Sequence, residues 1–327
     1  MRRNIPVLIV MVLTFVTTGP VLGQEVSFPN LGGLRLIPTV RVGYQTMATN
    51  INIPIFFDQF VTELANRGPL DLGLKDAGVW VGGIDLNAQV GRFSVLVSGE
   101  ANVPKDIRLD AGQEPFYAGQ SRVQWQGSRF EWFSLDGRAS FEIRPEIWLG
   151  AGFKAQKWSV NLTGPSDPTG LIQIFQSFFG DNYTADLSAK AWIPYLGVGF
   201  GGPNFKASLL FSPVPWVDAK VPFRYLFVQI PHSTFALGYE DDRYRLTGPG
   251  LFFELAVDYD VDVRPGLKCF LWVKGDWLRI NGNGTQDYEN RFVTGGVQTS
   301  QFFDSSSARG SFTSYNVSGG LAVEGTF

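Results

Sequence analysis

His232 is the single histidine in a chain of 327 residues. A histidine can act as general base on a water, but only from within about 3 Å of the proton it takes. No aspartate lies one or two positions from it in Ile230-Pro231-His232-Ser233. A carboxylate partner would have to come from Asp106, Asp110, Asp241 or Asp242 through folding of the intervening loops, and the local pattern reads as an exposed loop histidine. Cys269 is the only cysteine, which excludes an internal disulfide and a thiolate zinc site. Asp258, Asp260 and Asp262 alternate and so share one face of a strand. Calcium takes about six to eight oxygens, so three acids leading into a turn read as a solvated rim rather than a cation site. The glycines of Gly197-Val198-Gly199-Phe200-Gly201-Gly202 are followed by no helix that could present an N-terminus to phosphate. The residues imply no catalytic set, no metal and no cofactor.

The elements that must position these groups are strands. The chain is 44% hydrophobic, 14% aromatic and 17% charged, with 38 Gly and 28 Phe, which excludes a disordered chain. Its isoelectric point of 5.3 gives no basic footprint for nucleic acid. Met1-Arg2-Arg3-Asn4 is a short basic start, followed by an apolar run from Ile5 to Val16, then Gly19-Pro20 and Val21-Leu22-Gly23. This reads as a secretory signal spanning 1–23, since the run falls short of the roughly 20 apolar residues of a spanning helix. Residues 24–327 then form one exported unit, with 24–37 as a lead into the first strand.

Apolar and polar residues alternate with period two in many segments. In the last, Tyr315, Val317, Leu321, Val323 and Phe327 oppose Ser314, Asn316, Ser318 and Glu324. Phe133, Leu135, Ala139 and Phe141 oppose Ser134, Asp136, Arg138 and Glu142; Leu251, Phe253, Leu255 and Val257 oppose Glu254 and Asp258. Helical spacing would place apolar residues three and four apart instead. Ten strands are expected near 38–48, 77–88, 92–103, 130–143, 147–159, 185–199, 205–217, 249–261, 267–280 and 313–327. The connections run long and short in strict turn, the long ones being 49–76, 104–129, 160–184, 218–248 and 281–312. The short ones carry turn residues such as Arg144-Pro145 and Arg264-Pro265-Gly266. Outer-membrane barrels have short periplasmic turns and long outer loops. The fold class expected is therefore all-β, a transmembrane antiparallel β-barrel of about ten strands in a Gram-negative outer membrane.

The chain also resembles the omptins, ten-stranded outer-membrane barrels that include surface endopeptidases. The resemblance is one of layout over 34–327 together with Trp192-Ile193-Pro194-Tyr195-Leu196-Gly197, Trp216-Val217-Asp218-Ala219 and Asp262-Val263-Arg264-Pro265. It implies an Asp-x-His element shortly beyond the Trp-Val-acid-Ala string, facing an aspartate pair on an earlier outer loop with water between. Here Lys220-Val221-Pro222-Phe223-Arg224-Tyr225 follows instead, with no histidine, and Asp106 and Asp110 stand four apart.

Asp85, Glu100, Asp136, Arg138, Glu142, Lys154, Lys190, Glu254, Lys268, Lys274 and Asp276 fall on expected lumen faces. Mixed signs fit a paired network inside a narrow barrel rather than the like-charge ring of a selective pore. Trp80, Trp132, Trp158, Trp192, Trp216, Trp272 and Trp277 lie in strands, several near strand ends where an aromatic girdle belongs. Cys269 is expected to face lipid. Two functional classes stay open: a non-enzymatic barrel whose outer loops bind or stabilise the envelope, and a surface endopeptidase with a relocated dyad. A narrow channel is a third. The expected partners are outer-membrane lipid and lipopolysaccharide, and the barrel-assembly machinery through the terminal Phe327. A monomer that binds no nucleic acid is expected.

Overall fold

The computed structural model describes residues 33–53, 70–107, 109–111, 124–166, 184–202, 204–229, 236–264, 267–294 and 297–325. They form one antiparallel sheet: β1 (Leu34–Ile53), β2 (Leu70–Val90), β3 (Phe93–Asn102), β4 (Lys105–Asp106), β5 (Leu109–Ala111), β6 (Gln124–Arg144), β7 (Ile147–Ser166), β8 (Thr184–Gly201), β9 (Phe205–Ser212), β10 (Trp216–Gln229), β11 (Ala236–Arg264), β12 (Leu267–Thr294) and β13 (Val297–Gly325). β3, β4 and β5 share one place in the wall between β2 and β6, and β9 and β10 share another between β8 and β11. The wall therefore has the ten positions that alternation implies. β1 pairs with both β2 and β13, which closes the barrel.

The closing seam needs two backbones in close approach. Gly43 and Gly320 face each other across β1 and β13. A Cβ on Gly320 would lie 2.0 Å from the Val42 carbonyl oxygen, and one on Gly43 would lie 2.5 Å from Trp272 Cζ2. The indole of Trp272 lies in that space, donating from Nε1 to the Leu321 carbonyl at 3.2 Å.

Outward positions carry a continuous apolar band, including Val42, Ile84, Leu86, Val95, Val97, Leu135, Leu149, Phe153, Leu196, Leu255, Leu271, Val317 and Leu321. Aromatic residues bound it at both ends. Tyr44 meets Trp80 edge-on at 5.6 Å and Phe253 stacks on Trp277 at 5.8 Å toward the outer side, while Phe93 packs on Phe141 at 4.8 Å beside the short turns. Trp132, Trp158 and Trp272 instead point inward and are buried. Cys269 alternates with outward Leu271 and Val273, so it lies on the lipid side as expected.

Three features differ from the sequence expectation. The expected strand 205–217 is split at 213–215, where Pro213 and Pro215 sit beside Pro194 of β8 and Pro249 of β11. Proline has no N–H to leave unpaired, so a break in the ladder here strands fewer donors against lipid. The expected loops 218–248 and 281–312 are mostly strand. β11, β12 and β13 run 29, 28 and 29 residues, far beyond the roughly 9–11 needed to cross a bilayer, and stand above it as tall hairpins. The lead also ends sooner, because β1 begins at Leu34. The signal at 1–23 and Phe327 lie outside the described residues.

Replacing Gly320 with valine is expected to impair closure at the seam, because the nearest atoms are backbone and cannot rotate away. The cost should be about 1–3 kcal/mol, read as a smaller fraction of heat-modifiable, compactly migrating barrel in detergent.

Candidate functional site

The lumen is layered. Near the short turns it carries Arg138, whose guanidinium lies 4.2 Å over the Trp148 ring, and Lys206, whose Nζ lies 5.4 Å from the Phe270 ring centre. The Trp148 ring occupies the space at Gly199, where a Cβ would lie 2.0 Å from Nε1. That is the use of the glycine run in β8. Asp258 and Asp260 face this end half-buried, and Lys268 is exposed at its edge.

Above this lies a belt of charges tied across the barrel. Lys154 of β7 pairs with Glu254 of β11 and lies 3.8 Å from Asp136 of β6. Tyr195 of β8 donates its hydroxyl to Asp136 at 2.5 Å. Lys274 of β12 pairs with Glu100 of β3 on the other side of the lumen. Arg41 lies 2.6 Å from Asp85, which also accepts from Ser98 at 2.5 Å. An amide relay completes the belt: Gln45 donates to Asn316 at 3.2 Å, and Asn316 donates to Asp276 at 2.9 Å. The expected network of both signs is present.

The outer half of the lumen holds an apolar core that alternation did not reveal. Met47, Val79, Phe130, Trp132, Trp158, Val160, Leu187, Ala189, Val217, Ala219, Val221, Leu246, Leu278, Ile280 and Phe312 are all buried there. Trp158 of β7 crosses to the far wall, where Nε1 approaches Met47 Sδ at 2.9 Å and the ring meets Phe312 edge-on at 5.7 Å. Side chains from opposite walls touch at this level.

Expected site residues scatter. Asp218 points outward and accepts from Arg245 Nε at 2.9 Å and from Arg245 Nη2 at 3.1 Å. The inward neighbours in the Trp216-Val217-Asp218-Ala219 string are Val217 and Ala219, both fully buried. Asp106 is exposed in β4 opposite Arg129, and Asp110 pairs in register with Gly73. Asp241 and Asp242 belong to β11, opposite Arg224 and Phe223 of β10. His232 lies outside the described residues. Among the described residues, no group of three His, Cys, Asp or Glu could hold a metal.

Lys190 corrects the list of lumen charges. It is exposed on the outer surface, because the odd positions Ala189, Ala191, Ile193 and Tyr195 are the ones that turn inward. On that surface Lys190 stands opposite Lys157 on one side and Asp218 on the other, and Lys220 stands opposite Arg245. An exposed basic patch thus lies just above the Trp192–Trp216 pair.

Comparison with solved structures places the fold. The Escherichia coli outer membrane protease OmpT matches with a TM-score of 0.55 at 14% identity, covering 93% of this chain and 99% of that one. The chain has an outer-membrane β-barrel fold. The translocator domain of the autotransporter NalP from Neisseria meningitidis, at TM-score 0.39 and 9% identity, covers 97% of this chain and 98% of its own. A Pseudomonas aeruginosa FadL homologue, at 0.33 and 12%, covers 89% and 90%. No family model and no curated protein matches.

Lys154→Met is expected to destabilise the barrel by about 3–5 kcal/mol, because it leaves Glu254 and Asp136 buried without their cation. Equilibrium urea unfolding in lipid vesicles measures this. Lys154→Met combined with Glu254→Met should recover a large part of the loss.

Proposed function

We propose that this protein is an outer-membrane barrel with an omptin-like layout that does not cleave peptides, and that it acts through its outer hairpins in binding or in envelope structure. The observation that carries this reading is the chemistry of the inward positions at the outer mouth. A water-activating site there needs carboxylates and a base facing a common cleft. Val217, Ala219 and Val221 instead pack into one core with Met47, Val79, Phe130 and Trp132. Asp218, the acid of the resemblance, is turned away and held by Arg245. The same core argues against a channel, since Trp158 of β7 reaches across the lumen to Phe312 of β13.

The outer basic patch supports lipopolysaccharide as a partner. Like charges directly opposite in a sheet repel, and phosphate groups lying against Lys157, Lys190 and Lys220 would relieve that repulsion. A monomer fits the unbroken lipid-facing band.

The test uses folded protein reconstituted with lipopolysaccharide. We expect no cleavage of peptides with paired basic residues and no conductance steps in planar bilayers. Robust cleavage that disappears in His232→Ala would establish a relocated dyad and overturn the reading, and steady conductance would make the lumen a channel. Lys157→Ser with Lys190→Ser should weaken retention of lipopolysaccharide during detergent washing, leaving the unfolding transition unchanged.

A further inference from the structure

Some inward polar atoms are left over by the contacts described above. Gln45 Oε1 of β1, Trp132 Nε1 of β6, Gln156 Oε1 of β7 and Ser314 Oγ of β13 are buried with no hydrogen-bond partner among the described residues. Their residues are 2%, 4%, 3% and 0% exposed, so bulk solvent does not serve them. A buried polar group left unpaired carries the full cost of its desolvation.

The fold gathers these atoms beneath one contact. Trp158 of β7 reaches Met47 of β1 and Phe312 of β13 across the lumen. Gln156 and Gln45 precede Trp158 and Met47 by two residues, each on the belt side of its strand. Period two therefore brings the two glutamines to facing walls directly under that contact. Ser314 lies between Phe312 and Asn316 on the inward face of β13, and Asn316 is bonded to Gln45. On β6, Ser134 stands opposite Gln156 and Trp132 stands opposite Trp158. Trp132 and Gln156 are thus diagonal neighbours, about 7–8 Å apart and within reach of long side chains. The amides around them are already committed. Asn102 accepts from the Trp132 backbone N–H at 2.6 Å and donates to the Phe130 carbonyl at 3.3 Å. Asn316 accepts from Gln45 and donates to Asp276.

We propose that this level, between the charged belt and the apolar core, binds a small cluster of ordered water molecules. The chemistry of the unpaired atoms selects the ligand. An amide carbonyl oxygen only accepts, an indole N–H only donates, and a hydroxyl does either. A cation would satisfy the glutamine carbonyls and leave the indole unpaired; an anion would do the reverse. Water donates and accepts, and a buried water makes about three hydrogen bonds. A molecule that accepts from Trp132 and donates to Gln156, bonded to another that donates to Gln45 and accepts from Ser314, serves every one of these atoms. The cluster joins β7 to β1 by hydrogen bonds, one level below the place where Trp158 joins them by contact.

The test uses folded protein in lipid nanodiscs, isotope-labelled at tryptophan and glutamine, with Trp132→Phe to assign the indole resonance. The Trp132 indole proton should show direct magnetisation transfer with water, of the sign given by long-lived bound molecules. The Trp158 and Trp272 indoles donate to Met47 and to the Leu321 carbonyl and should show none. Gln156→Met removes an acceptor and should abolish the Trp132 signal. A Trp132 indole without a water signal overturns the proposal, as does a signal that Gln156→Met leaves at full strength. Equal signals at all three indoles overturn it too, because they report general entry of solvent. So does a shift of the Gln45 and Gln156 side-chain amide resonances when potassium replaces choline, since a cation would then occupy the level. If Gln156→Met does not fold, the wild-type Trp132 signal against the two other indoles decides alone.

Discussion

Hydrocarbon offers no hydrogen bonds, so every backbone amide that crosses it must find a partner in the protein. For a chain of strands this leaves closure as the only solution, and the β1–β13 seam from Thr39–Glu324 to Asn52–Ser311 is where closure happens. Once the ring is shut, each residue has one of two fates, lipid or lumen, fixed by its parity. Ten positions in the ring then set the width that the inward side chains must span. The interruption between β9 and β10 obeys the rule, because Pro213, Pro215, Pro194 and Pro249 gather where ladder donors would otherwise be stranded.

A ring of this size leaves a lumen that long side chains can bridge, and here they do so at two levels with opposite chemistry. In the belt, Lys154–Glu254 and Lys274–Glu100 join strands that are not neighbours, so each ion pair acts as a strut as well as satisfying a charge. In the outer half, Trp158 does the same with an indole. Packed cores resist deformation, so the outer half is a firm base for the hairpins of β10 to β13 that rise from it.

Much of the wall was legible because lipid enforces a simple pattern. The ten strand centres and most lumen charges follow from period two, and the sorting of short turns to one end follows from the lengths of the connections. The misreadings occur where both faces of a strand are apolar. In β8, Ala189, Ala191 and Ile193 alternate with Trp192, Pro194 and Leu196, so polarity does not say which set turns inward, and Lys190 lies on the outer surface against expectation. The outer core escaped for the same reason: an inward Val217 or Ile280 looks no different from a lipid-facing one. In the described part of β11 beyond the girdle the alternation persists, with Arg243 and Arg245 exposed and Tyr244 and Leu246 buried. Contacts such as Trp158 with Met47 join positions 111 residues apart, and no local spacing carries that information.

Parity also explains why a family-like string need not bring family-like chemistry. Trp216 belongs to the outer girdle, half exposed toward the lipid boundary. With Trp216 outward, period two sends Val217 inward, Asp218 outward and Ala219 inward, and the burial of these residues follows that order. A site inside the mouth could draw only on the odd positions of β10, and the first three, Val217, Ala219 and Val221, are aliphatic. The even positions give Asp218 and Lys220 to the outer surface, where Arg245 holds the acid. Moving chemistry into the cleft would take a one-residue shift of register, and that shift would also turn Trp216 into the core and Val217 to the interface. The girdle and an inward Asp218 are therefore mutually exclusive in this strand.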